Sequence, residues 1–303
     1  MINKKIFYWA CDRSENSGEG KLALFFLDEL KKKYIIKQIV KPKFKSKNLS
    51  KIFNHKYVLP FLGIYYCWKF FLNGKKVYYV NYLPFWNFLI FLLLPPEISI
   101  GPITGGAKFY KNSSFTRRFF FPLFYKMSEV IVNYRNFTLL FSTDLLKNFL
   151  SKKTLKKSDF NFIIKKFTYK KRRFKKTLDF LIYYRDHENK KKFFPFKLID
   201  NLILNGYKVN IVGDYLKIPK VKNHGFLKNK KLLKLQKKAK FTIFSRENLY
   251  SIFILECIVN NVIVVIEKSS KNKLTFFKDK FVKINFKDSK ELHKLKNVYK
   301  NYR

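Results

Sequence analysis

The sequence predicts an α/β chain with two successive domains, each an open parallel sheet wound with helices. Three observations predict this. Short apolar runs alternate with segments whose apolar residues recur at helical spacing. The alternation stops in a charge-dense stretch at 151–177, "SKKTLKKSDFNFIIKKFTYKKRRFKKT", and then restarts. The length of 303 residues suits two domains of about 150 residues each. The expected division is therefore a domain at 1–150, a basic linker at 151–177 and a second domain at 178–303.

In the first half, strands are expected at Lys5–Ala10, in "YIIKQIV" from Tyr34, at Val77–Tyr82, at Glu129–Asn133 and at Thr138–Phe141. A Gly-containing loop follows the first strand and leads into a helix from about Glu19 to Lys33. The greasiest run, "FLIFLLLPP" from Phe88, is too short for a span of about 20 residues, so a buried element or an interfacial patch is expected. In the second half, "LDFLIYY" is a strand and "FKLIDNLILNG" a helix stopped at Gly206. "YKVNIVGD" is a strand, "KNKKLLKLQKKAK" a helix, and "FTIFS", "LYSIFILECIVNN" and "VIVVIE" give strand, helix, strand.

The net charge is +45, carried by 56 Lys and only 9 Arg, beside just 4 Ala. Such a charge suits nucleic acid, an anionic membrane face or a phosphorylated substrate. Lys, Phe, Ile and Asn dominate together, which is the mark of an AT-rich coding sequence and makes most of the charge background. The few Arg are then the informative cations, since phosphate clamps use the planar guanidinium. Three distant cysteines, Cys11, Cys67 and Cys257, argue against a disulfide framework and for a reducing setting. "MINKKIFYWACDRSENSGEG" lacks the apolar stretch of a signal peptide. A cytoplasmic place is expected, with peripheral contact on the inner membrane face.

Ligands of open α/β sheets sit at the carboxyl ends of the strands. In the second half three loops belong there. "YYRDHENKKK" carries Arg185 and Lys190 at R-x4-K spacing. "VGDY" carries Gly213 and is followed by "NHGFL" with His224. "SRENLYS" opens the helix that bears Glu256 among apolar neighbours. Two cations suit a pyrophosphate, a helix start suits a phosphate, and a carboxylate accepts both hydrogen bonds of a vicinal diol.

"SRENLYSIFILECIVNNVIVVI" resembles the signature of nucleotide-sugar glycosyltransferases of the GT-B type, in their large retaining group. "YYRDHENK" looks like the Arg-x4-Lys element of that group. "GPITGG" at Gly101–Gly106 resembles a Gly-rich loop of its N-terminal domain, and "DRSENSGEGKLA" its Gly loop after the first strand. The resemblance implies two Rossmann-like domains facing each other across a cleft. It implies a nucleotide-sugar donor, a saccharide or lipid-linked saccharide acceptor in surface polysaccharide or lipopolysaccharide synthesis, and no nucleic acid. By resemblance Glu256 meets the donor ribose, while Arg185 and Lys190 hold the pyrophosphate and neutralise the leaving diphosphate. The family's first acid falls at Asn248, with Glu247 one residue earlier, so either residue fills that place. Leu249, Tyr250 and Ser251 would meet the donor through backbone amides. Gly18 and Gly20 would face the donor phosphates or the acceptor, and Gly105 and Gly106 lie on the acceptor side.

No cofactor is expected, and with no Asp-x-Asp pair in the sequence no metal. His55, His187, His224 and His293 show no metal-ligand spacing. The resemblance also implies, from some members of the group, a catalytic His or Asp in the N-terminal half, for which Asp12 and Glu19 are candidates by position. Two other readings stand beside this one. A basic nucleic-acid binder would rest on charge alone and would ignore Glu256. A catalytically inactive relative is suggested by the shifted first acid.

Overall fold

The computed structural model describes residues 5–40, 55, 58–104, 115–167, 174–187, 191, 194–244, 248–270 and 273–301. Gly105, Gly106, Lys190 and Glu247 lie outside the described residues. The chain divides into two compact units, Met1–Lys166 and Phe167–Arg303.

The first unit holds strands β1 (Lys5–Trp9), β2 (Ile35–Gln38), β3 (Val77–Pro84), β4 (Ser99–Thr104), β5 (Thr138–Phe141) and β6 (Ser158–Asp159). They form one parallel sheet in the order β2-β1-β3-β4-β5-β6. The order reverses at β1, so its ligand crevice is expected between the ends of β1 and β3. Helix α1 (Gly18–Lys31) starts where Ser17 accepts from the Gly20 amide, and it buries Leu22, Phe26 and Leu30 at helical spacing. Helix α2 (Leu59–Leu72) has Pro60 in its first turn. Its Gly63 lies against the Trp9 indole, and a Cβ there would stand 2.3 Å from Nε1.

The greasy run is helix α3 (Phe88–Leu93), with Ile90 and Phe91 buried and Leu89, Leu92 and Leu93 exposed. Gly101–Thr104, expected as part of a Gly-rich loop, instead belong to β4, which is buried except at Thr104. Pro102 has no N–H to give to the ladder, and the register with both neighbours shifts beside it. Glu129–Asn133, expected as a strand, belong to helix α4 (Phe115–Tyr134). Tyr125, Ser128 and Val132 are buried at helical spacing, whereas Val130 is exposed. The β-branched run suggested a strand, but the chain settles it by which face is covered. Of the expected linker, residues 151–166 belong to the first unit. They form helix α5 (Lys152–Lys156), then β6, and then bury Phe162, Ile163 and Ile164.

The second unit holds β7 (Leu178–Tyr184), β8 (Val209–Gly213), β9 (Lys222–Asn223), β10 (Ala239–Ile243), β11 (Ile263–Glu267) and β12 (Phe281–Ile284). All pairs are parallel, in the order β12-β11-β10-β7-β8-β9. Counted from β7, this is the order 3-2-1-4-5-6 of a doubly wound dinucleotide-binding sheet, with its switch point between β7 and β10. Helix α6 (Phe196–Leu204) buries Leu198, Ile199 and Leu202 and ends at Gly206, whose φ of +77° suits glycine. Helices α7 (Asn229–Lys238), α8 (Ile252–Val259) and α9 (Ser289–Asn301) complete the two faces. Phe180 and Phe241, both buried, stack at 5.2 Å across β7 and β10. Truncating either to Ala would cost about 3–5 kcal/mol. β12, α9 and the short β6 and β9 had no signal strong enough to read in advance.

Candidate functional site

The switch point of the second sheet puts the carboxyl ends of β7 and β10 side by side, with Arg185 following the first and Phe244 the second. Arg185 is the first residue beyond β7. Its Nε lies 3.2 Å from Asp214 Oδ2, and its Nη1 donates to the Tyr183 hydroxyl at 3.3 Å. Those partners hold its already high pKa higher, the Tyr183 hydrogen bond first. The guanidinium lies over the Phe226 ring, 5.1 Å from its centroid. Tyr183 in turn stacks on Phe253, in the first turn of α8, at 5.5 Å. Two aromatic rings, Tyr183 and Phe253, thus link the arginine to the first turn of α8.

Gly213 ends β8 with φ +108°. A Cβ there would stand 2.2 Å from the Tyr184 carbonyl oxygen. Its amide donates to Gly225 O at 3.0 Å, drawing the loop after β9 across the strand end. Asp214 follows at once. Its carboxylate accepts from the Asp186 amide at 2.7 Å and holds Arg185. Sequence reading missed Asp214 and Tyr183. Their signal was position alone: one follows the Gly turn of β8, and the other is two residues before Arg185.

On the α8 side the expected donor loop is built mainly by contacts within the protein. Asn248 Oδ1 accepts from the Tyr250 amide at 3.0 Å, which closes a turn. Ser251 caps α8 by accepting from the Ile254 amide. Leu249 and Tyr250 are buried. The Tyr250 hydroxyl accepts from the amides of Thr275 and Phe276 at 2.9 and 2.8 Å and donates to Phe276 O. The amide of Tyr250 is therefore taken, and its ring anchors the 275–276 loop instead.

Glu256 is 8% exposed, but its carboxylate turns toward α7. Gln236 donates to it at 3.4 Å, and Asn260 donates to Gln236 at 3.3 Å. Lys176, driven down to a pKa of about 8 by burial, donates to Asn260 O at 2.8 Å. Gln236 stands three residues before β10 and Lys176 two before β7, so this polar cluster lies toward the amino edge of the sheet. The acid is buried because an amide on the neighbouring helix answers it.

His224 also turns away from the strand ends. Its Nε2 lies 2.9 Å from Oδ1 of Asn210, near the start of β8. Burial, with help from Lys222, lowers its pKa. The unfolded chain then binds the proton more readily than the folded one. Stability should be complete above the ordinary histidine range and decline as pH falls through about 6.5 toward the lowered folded value. Urea titrations of wild type and His224→Asn at pH 7.5 and 5.5 check this; an equal pH response in both would refute it.

In the first unit, Gly20 is fixed by close approach, since a Cβ would stand 2.4 Å from Ser14 O, whereas Gly18 has open space. Asp12 accepts from the Ser14 amide at 2.7 Å and from the Ser17 hydroxyl, so it braces the loop after β1. The Cys11 amide donates to Asn81 Oδ1 at 2.7 Å, joining that loop to β3 across the first sheet's switch point.

No protein-family model and no curated protein sequence matches the chain. Solved structures do. Anabaena HepE in complex with UDP aligns at a TM-score of 0.54 and 10% identity, covering 99% of this chain and 91% of that one. HepE in complex with UDP-glucose aligns at 0.51 and 9%, over 98% and 90%. A Listeria monocytogenes protein assigned as UDP-N-acetylglucosamine 2-epimerase aligns at 0.53 and 10%, over 100% and 90%. At such identities the likeness is one of fold, and with the two parallel six-stranded sheets it establishes the chain as a protein of the two-domain, Rossmann-like GT-B fold.

Proposed function

We propose that this protein is a glycosyltransferase that binds a nucleotide sugar at the carboxyl edge of its second sheet and passes the sugar to a glycan or lipid-linked saccharide. The observation that carries the reading is the placement of Arg185, through Tyr183 and Phe253, beside the start of α8 at the switch point. Departure of a nucleoside diphosphate demands stabilisation of growing negative charge. A guanidinium held by Asp214 supplies it, and the start of α8, linked to it through two rings, would add to it. Gly213 lets the end of β8 close against the Tyr184 carbonyl, and its amide holds Gly225 beside it. The UDP and UDP-glucose named for HepE support a uridine nucleotide as the donor. Lys190 and Glu247 are proposed as further donor contacts, with Gly105 and Gly106 on the acceptor side. Surface-polysaccharide synthesis is the proposed setting.

The test is a calorimetric and thermal-shift panel of UDP-, GDP-, ADP- and CMP-linked sugars on wild type, Arg185→Ala and Glu256→Ala. One nucleotide should bind saturably to wild type. Glu256→Ala should keep that affinity and lose about 1–3 kcal/mol of stability, because the Gln236 amide loses its acceptor. Loss of nucleotide binding in a folded Glu256→Ala protein would instead give Glu256 the ribose role. If no nucleotide binds and oligonucleotides bind with steep salt dependence, the reading fails. Turnover separates the chemistry: nucleotide release only with a saccharide acceptor supports transfer. Sugar interconversion without acceptor would instead point to the epimerase activity assigned to the Listeria neighbour. Binding without either reaction would mark an inactive relative.

A further inference from the structure

Helix α4 has a buried face and an equally apolar outward face. Tyr125, Ser128 and Val132 pack inward. On the opposite side Phe119, Leu123, Met127, Val130 and Tyr134 recur at helical spacing. Leu123 is 55% exposed, Val130 67% and Tyr134 89%. An ordinary surface helix puts polar side chains there. The patch continues onto α3, which packs on α4 through Phe88 against Phe124 at 5.2 Å, with Trp86 just before it stacked on Phe121 at 5.0 Å. From α3 it adds the exposed Leu89, Leu92 and Leu93. Exposed large apolar side chains gathered on two packed helices mark a contact site.

Charge decides what covers it. Arg118 and Lys126 are exposed along one flank of the stripe, and Arg118 lies 5.3 Å from the Phe119 ring. The single acid of α4, Glu129, is turned inward, where it accepts from the Ser151 amide at 2.5 Å and the Thr154 hydroxyl at 2.6 Å. The outward face therefore presents apolar side chains with a cationic edge. A second copy of the chain would bring another +45 against it, which opposes self-association. An anionic bilayer answers both the apolar stripe and the cations. Among the described residues no helix is long and apolar enough to cross a membrane, so the contact is with one surface of the bilayer.

We propose that the outward face of α4, with the exposed leucines of α3, lies in the headgroup region of an anionic bilayer, with α4 parallel to the surface. This places the contact on the first unit rather than on the basic stretch at 151–177, and it does not depend on the reaction assigned to the second unit. Because the apolar side chains stand outward, their replacement should leave the fold intact.

The full chain should co-sediment with vesicles of phosphatidylcholine and phosphatidylglycerol and much less with phosphatidylcholine alone. Leu123→Glu and Val130→Glu should each weaken that binding on the order of tenfold, the equivalent of one buried side chain. Arg118→Glu with Lys126→Glu should weaken it at low salt and matter little at high salt. Thermal melting of each variant reports on folding. Undiminished vesicle binding by folded Leu123→Glu and Val130→Glu proteins overturns the proposal. So does a wild-type chain that ignores anionic vesicles. A stable dimer by analytical ultracentrifugation, dissociated by the same two substitutions, would assign the face to a second copy and also overturn it.

Discussion

Gly213→Ala should cost about 3 kcal/mol and lower the melting temperature of the second unit by about 10 °C. The residue combines two demands that no side chain meets. Its φ of +108° lies where L-residues are strained, and its missing Cβ leaves room for the Tyr184 carbonyl 2.2 Å away. Relief would have to come from moving the end of β8 away from β7. That movement would displace Asp214, whose amide donates to the same Tyr184 carbonyl at 3.1 Å. Arg185 would then lose the carboxylate that holds it. The variant should therefore bind nucleotide more weakly even at temperatures where it is folded. Differential scanning calorimetry and a UDP titration check both parts. A melting temperature within a degree of wild type would show that β8 shifts without cost.

The second large effect concerns Arg185 itself. Arg185→Ala should weaken binding of the donor nucleotide about 10- to 100-fold, the equivalent of one charge-assisted hydrogen-bonded pair. Stability should change little, because the Arg185–Asp214 pair is about a third exposed on each side and worth at most about 1 kcal/mol. Arg185→Lys should recover only part of the affinity, since an ammonium cannot reach Tyr183, Asp214 and a diphosphate from one planar fork. Calorimetric titration on the three proteins decides it. Equal affinities would move the anion site elsewhere on the sheet edge.

The alternation of apolar runs made most strands legible, because parallel strands buried on both faces read as continuous apolar stretches. Phe180–Tyr184 and Ile263–Ile266 are of this kind. The reading failed where sequence and environment part company. In α4 a β-branched run sits in a helix that is apolar on both faces, so its period was hidden. In β4 the Gly-Pro pair suggested a turn inside a strand that the sheet holds from both sides. At the site, Arg185 was legible because it is one of few arginines and follows a strong strand. Asp214 was not, since an acid after a Gly turn has no pattern of its own. Glu256 was conspicuous for the right reason, a buried acid on an apolar helix. What sequence could not supply was the direction of its carboxylate, which depends on Gln236 twenty residues earlier.

The close approach of Gly63 to Trp9 also limits how this protein can be made sturdier. Replacing helical glycines by alanine is a common engineering route, worth up to about 1 kcal/mol each. Here the route is narrow. At Gly63 an added methyl would meet the indole at 2.3 Å, and at Gly20 it would meet backbone at 2.4 Å. Gly18, at the first position of α1 with nothing within 4 Å, is the helical glycine among these three where a methyl group has somewhere to go.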